Sequence, residues 1–187
     1  HIGLSFHDSP ELLDRILTEH PELEYVQLQL NYFDWESPYV AARRCYEVCK
    51  KHGKLVVVME PVKGGALVNL PQDLEQKLRS CDPEASMASW AIRFCAGLDH
   101  VFMVLSGMSN MAQMLDNLSY MQEFQPLSEQ EEAAIKDVAH ALRKDMAYNP
   151  QSFAEAEKVC PKHIGIVKIA EMLNDHKKMN NYTNTCI

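Results

Sequence analysis

Four times along this chain a short apolar run rich in β-branched residues gives way to a segment whose apolar positions recur every three or four residues. Strand followed by helix, repeated, favours parallel pairing, because each helix carries the chain back across the sheet before the next strand begins. The first strand is expected at residues 2–6, with a helix opening at Ser9-Pro10-Glu11, where Ser9 caps the free amides and Pro10 fits the first turn. Leu12, Leu13, Ile16 and Leu17 form its apolar stripe. The second unit pairs residues 25–30 with a helix over 40–52 that Gly53 ends, and Val40, Cys45, Val48 and Cys49 face inward from it.

Leu55–Met59, almost entirely Leu and Val, reads as a strand buried on both faces. It leads through Pro61-Val62-Lys63-Gly64-Gly65 and a polar loop to a helix over 86–96. The fourth strand, 101–105, passes through Ser106-Gly107 into a helix over Met111–Met121. Four βα units are half of an eight-unit (β/α)8 barrel, so the expected fold is an α/β half barrel over 1–125. Residues 126–187 follow as C-terminal helices: one begins at Leu127-Ser128-Glu129-Gln130-Glu131 and runs to about 143, and another covers 166–173. The last residues, 180–187, are expected to fray.

At 187 residues and 47% apolar content the chain is long enough for one good core. Eighteen basic against twenty-six acidic side chains give a formal charge of −8, and no basic stripe is interleaved with aromatics, so nucleic acid is not an expected partner. No apolar run reaches the roughly 18 residues of a membrane span, and no signal peptide is recognisable, which gives a cytoplasmic expectation. The six cysteines lack the dense spacing of a secreted scaffold and are read as reduced thiols; Cys45 and Cys49 share one helix face as small buried groups. A start at His1, directly inside a strand, reads as a piece of a longer chain.

Four stretches, in order and at βα spacing, carry a family resemblance. They are Ile2-Gly3-Leu4-Ser5, Val26-Gln27-Leu28-Gln29-Leu30-Asn31-Tyr32, Met59-Glu60-Pro61-Val62-Lys63-Gly64-Gly65, and Leu105-Ser106-Gly107-Met108-Ser109-Asn110 followed by Asp116-Asn117-Leu118. Together they resemble barrel strands five to eight of the aldo-keto reductases, notably the bacterial group with a ferredoxin-like tail, over His1 to about Leu173.

The resemblance implies NAD or NADP as cofactor, held at the C-terminal ends of these strands, where barrel active sites lie. Ser5 and Gln27 would meet the nicotinamide carboxamide, Gln27 both donating and accepting. Its position between the apolar Val26 and Leu28 points it into the barrel mouth. A strand-end Ser and a strand Gln satisfied elsewhere are the competing readings. Phe6 stands where the family often has Asn, and Met59 where many relatives stack an aromatic. Glu60, Val62 and Gly64 fall in the loop that passes under the pyrophosphate, beside Lys63, which either neutralises a phosphate or is solvated. Gly107, Met108, Gln113, Asp116 and Asn117 match positions at the adenosine end. Neither Gly107 nor Gln113 is basic, so the choice between NAD and NADP stays open.

The family's catalytic Tyr, Lys, Asp and His belong to its first four strands, so no catalytic residue is assigned in this chain. Tyr32, Tyr39 and Tyr46 lack such partners, and His7 and Asp8 are read as a loop pair capping the next helix. In the tail, Cys160-Pro161 resembles the last cysteine of an iron–sulfur run, but the preceding positions, Ala156, Phe153 and Pro150, are not ligands; Cys160 with His163 gives a zinc ion only two. No metal site is therefore expected, and the tail reads as a degenerate ferredoxin-like remnant.

Three classes of function compete: the cofactor-binding part of a reductase acting on a small carbonyl substrate, a non-catalytic half barrel that binds a nucleotide or a partner, and an electron-transfer module. The first is preferred. Cutting a barrel leaves two unpaired edges, so the missing N-terminal half or a second copy is the expected partner.

Overall fold

The computed structural model describes residues 1–144 and 153–173. The chain divides into two compact units, 1–140 and 141–187. In the first, β1 (Gly3–Phe6), β2 (Tyr25–Gln29), β3 (Leu55–Met59) and β4 (Val101–Val104) form one sheet in sequence order, every neighbouring pair parallel. The helices are α1 (Pro10–Glu19), α2 (Ala42–Lys51), α3 (Gln72–Arg79), α4 (Met87–Ala96), α5 (Met111–Met121) and α6 (Glu129–Lys144), the last crossing from the first unit into the second. The α/β alternation expected from the sequence is present.

Capping explains where several of these helices start. Ser9 accepts from the amide of Leu12, Ser86 from Ser89 and Asn110 from Gln113. At α6 the capping is reciprocal: Ser128 N donates to Glu131 at 2.8 Å and Glu131 N to Ser128 Oγ at 3.3 Å. Glu131 also receives Arg93 of α4 at 2.9 Å, which ties the start of α6 to α4 within the first unit.

Three boundaries differ from the sequence expectation, each for a local reason. The helix expected from Val40 begins at Ala42, because Ala41 is left-handed with φ 51°. The loop expected between β3 and α4 contains a 3-10 turn, Ala66–Val68, and α3. Only Leu74 and Leu78 of α3 are buried, too thin a stripe to stand out in the sequence; its real signature is electrostatic, with Asp73 and Glu75 in the first turn and Lys77 and Arg79 in the last. Residues 2, 30 and 105 lie just outside their strands.

One face of the sheet carries the core. Phe6, Val26, Leu28, Val56 and Val58 pack beneath Leu13 and Leu17 of α1, Cys45, Tyr46 and Cys49 of α2 and Cys95 of α4. Strand alternation then turns Gly3, Ser5, Tyr25, Gln27, Gln29, Val57 and Met59 to the opposite face. The close approach of Tyr25 accounts for glycine at position 3, where a Cβ would lie 2.2 Å from the Tyr25 ring. Between β3 and β4 the register slips: Val56 faces Val101 but Val57 faces Met103, leaving Phe102 as an extra residue.

The second unit contains α7 (Ala154–Lys158) and a helical stretch over 166–173. Val167 N donates to Glu157 at 2.7 Å. Among the described residues no three His, Cys, Asp or Glu side chains gather as a metal site, and no helix is long and apolar enough to cross a membrane. Pro150, Cys186 and residues 180–187 lie outside the described residues.

Cys45, Cys49 and Cys95 are buried, and burial pushes the Cys45 thiol up to about 11 and Cys49 to about 12, with Cys95 raised further. A pKa raised on folding stabilises the fold below the unfolded value and loses that contribution as pH climbs towards the folded one. The urea midpoint is therefore expected to fall from about pH 9 upward, and to fall less steeply in Cys49→Ala. At about pH 8, iodoacetamide is expected to label Cys81 but not these three until the chain unfolds, as read by peptide mass mapping.

Candidate functional site

The sheet face opposite the core, the loops at the strands' C-terminal ends and helix α5 contain the residues singled out from the sequence. Register places Ser5 beside Gln27 and Gln27 beside Val57, with Gln29 and Met59 one step nearer the C-terminal ends. Ser5 is exposed, its Oγ 3.5 Å from His7 Nε2. Gln27 is half-buried and its Nε2 donates to Met59 Sδ at 3.6 Å. A thioether is a weak acceptor, so this contact orients the amide without occupying it strongly. Ser5, Gln27 and Met59 thus share one face, as strand alternation predicts.

After β3 the chain makes a strained turn. Glu60, Lys63, Gly64 and Gly65 all have positive φ, at 58°, 50°, 59° and 91°. Backbone bonds from Lys63 to Glu60, Gly65 to Val62 and Ala66 to Lys63 tighten it. Glu60 and Gly64 are exposed and Val62 half-buried, so the candidate residues of this turn lie at the surface beyond β3. Non-glycine residues in the left-handed region cost about 1–2 kcal/mol and persist only where neighbours impose them.

The candidates after β4 serve the loop itself. Gly107 and Met108 are exposed; Gln113 Oε1 accepts from both Ser109 N (2.8 Å) and Ser109 Oγ (3.1 Å), folding the loop back on the start of α5. Asn117 donates to Ser106 Oγ at 2.7 Å and also receives the Tyr120 hydroxyl. Asp116 turns to α4, accepting from Ser86 Oγ at 2.8 Å. Asn117 therefore stiffens the loop, and Asp116 joins α5 to the start of α4.

A cleft of about 230 Å³ opens at the C-terminal ends of β1 and β2, lined by His7, Asp8, Gln29, Tyr39 and Cys45 among others. Asp8 accepts from the Ser9 amide at 2.6 Å, while the cap of α1 is Ser9 itself; the His7–Asp8 pair is thus not the helix cap expected from the sequence.

Sequence reading did not find the polar group beneath the turn after β3. Asn31 and Asp34 are fully buried, joined locally by Asp34 N donating to Asn31 Oδ1 at 2.8 Å. Lys63 Nζ lies 2.9 Å from each Asp34 carboxylate oxygen, and Asn31 Nδ2 donates to Glu60 O at 3.0 Å. Lys63 is therefore paired with the buried Asp34 carboxylate and only partly exposed. The available signal was an Asn and an Asp three residues apart directly after a strand, a spacing that suits a side-chain-to-backbone turn.

Two solved structures share this architecture. The holo form of aldo-keto reductase AKR11C1 from Bacillus halodurans matches with a TM-score of 0.57 at 23% identity, over 73% of this chain and 49% of that one. The apo form gives 0.51 at 21%, over 67% and 47%. The chain spans about half the length of these structures, so the fold defines it as a parallel βα assembly corresponding to about half of an aldo-keto reductase barrel. A model of the aldo/keto reductase family matches residues 1–140, and the chain belongs to that family. None of the curated proteins matches it.

The turn after β3 gives a direct test of imposed strain. Replacing Glu60 by Gly removes the cost of φ 58° while leaving the carbonyl that Asn31 grips. Glu60→Gly is expected to raise stability by roughly 0.5–1 kcal/mol in urea titrations, the added freedom of the unfolded glycine offsetting part of the gain. A lower midpoint would show that position 60 is not strained.

Proposed function

We propose that this chain is the cofactor-binding half of an NAD- or NADP-dependent aldo-keto reductase that reduces a small carbonyl compound. The observation that carries the reading is the placement of Ser5, Gln27 and Met59 on one face of adjacent parallel strands, opposite the core-bearing helices, with Met59 at the C-terminal end of β3. The donor set fits a nicotinamide: Ser5 offers a hydroxyl and Gln27 an amide, complementary to a carboxamide, while Met59 offers a polarisable surface to the ring. Glu60, Val62 and Gly64 would meet the diphosphate, and Gly107, Met108, Gln113, Asp116 and Asn117 the adenosine end, Asn117 through the loop it stiffens.

When bound, the dinucleotide supplies the hydride. Ser5 and Gln27 would hold its carboxamide, and the turn after β3 would hold its diphosphate. The proton for the carbonyl oxygen comes from outside this chain, from the N-terminal half of the barrel. That half is the proposed partner, and β1 and β4 are the sheet edges it would pair. No residue of α5 is buried, and Met111 and Leu115 are exposed on it, leaving apolar surface for the same partner to cover.

Titration of the chain with NADPH and NADH, followed by nucleotide fluorescence, is expected to show saturable binding that Gln27→Ala weakens about tenfold, the order of one or two hydrogen bonds. The chain alone is expected to reduce no carbonyl compound above background, and activity should appear only with the N-terminal half added, since the proton donor belongs there. Turnover by the purified chain, or no binding of either nucleotide, would overturn this reading.

A further inference from the structure

We propose that Asp34 is a positioning residue for the proposed dinucleotide site: its buried carboxylate pins Lys63 and, with Asn31, holds the turn after β3 in its left-handed shape. The turn then meets a diphosphate through its backbone, and the Lys63 charge is paired with Asp34. This rests on the dinucleotide reading above and adds a residue outside it.

The geometry carries the argument. The Asp34 side chain is only 2% exposed, yet its carboxylate is fully engaged, accepting from Gln29 Nε2 at 3.0 Å, Asn31 Nδ2 at 2.9 Å and Lys63 Nζ at 2.9 Å to both oxygens. Lys63 Nζ also lies 5.1 Å from the centre of the Phe33 ring. A lysine swinging out to a phosphate would abandon both oxygens and the ring, leaving a buried carboxylate without its counter-charge, which is strongly unfavourable. The ammonium therefore stays.

These bonds also join two segments distant in sequence. Gln29, Asn31 and Asp34 end β2 or follow it, whereas Glu60 and Lys63 follow β3. Asn31 links them twice, donating to Asp34 and to Glu60 O. Glu60 and Lys63, the two non-glycine residues of the turn with positive φ, are the two whose carbonyl or side chain this group grips. Strain at both is thus imposed from Asn31 and Asp34. The same group reaches the sheet face through Gln29, the residue opposite Met59.

The test compares NADPH binding to the wild-type chain, Asp34→Asn, Lys63→Met and the double variant across ionic strengths, with circular dichroism melting as a check on folding. Asp34→Asn is expected to lose about tenfold in affinity and to bind with a steeper salt dependence, because the released ammonium now meets phosphate. The double variant, which lacks the pin but leaves no unpaired ion, is expected to lose about the same tenfold while keeping the wild-type salt dependence, since no lysine is released towards the phosphate. If Asp34→Asn alone fails to fold, the double variant still decides. Equal losses in Lys63→Met and the double variant, with a flattened salt dependence, would make Lys63 a direct phosphate ligand and overturn the proposal, as would wild-type affinity and salt dependence in a folded Asp34→Asn. A wild-type chain that binds no NADPH would overturn the dinucleotide reading itself, an outcome distinct from either of these.

Discussion

The structure depends on a sheet that buries its core on one face. Val26, Leu28, Val56 and Val58 are almost wholly removed from water beneath α1, α2 and α4, and burying each such side chain contributes about 1.5–3 kcal/mol. A slip of one residue in β2 would exchange Val26 and Leu28 for Gln27 and Gln29, placing two amides in an apolar layer with no partners. Register is therefore set by the helix side. The polar character of the other face follows from it: β2 has no freedom to turn its glutamines anywhere else.

The same division governs the loops. Helices that leave the C-terminal ends of β1 and β4 start from side-chain caps, Ser9 and Asn110, each satisfied within its own turn. Those loops are defined locally. After β2 and β3 the chain has no such cap: α2 starts from a left-handed Ala41 and α3 from Pro71. Here order comes from between loops, through Asn31, Asp34 and Lys63, and from aromatic contacts of Trp35 with Tyr46 and Phe94 at 5.4 and 5.6 Å. The central loops of the mouth are thus tied to each other, the outer ones to their helices.

What was legible in the sequence follows from range. Leu55–Met59 and Met111–Met121 could be read at their full length because periodicity and caps are properties of adjacent residues. The shared face of Ser5, Gln27 and Met59 follows from alternation once the strands are found. α3 was missed because two buried leucines do not make a periodic signal, and the late start of α2 because nothing local forces Ala41 into the left-handed region. The ion pair of Asp34 and Lys63 spans 29 residues and exists only when β2 and β3 lie side by side. Read alone, Lys63 is one more solvent lysine.

Phe102 has a consequence of a different kind. The extra residue it represents in β4 locally breaks the even spacing of donors and acceptors along the outermost strand and increases its twist. A flat, regular strand from an unrelated chain would find its hydrogen bonds out of step after a residue or two. A strand carrying a matching offset would not. An irregularity of one residue thus makes this edge selective, admitting a complementary strand while discouraging the indiscriminate stacking by which exposed parallel sheets aggregate.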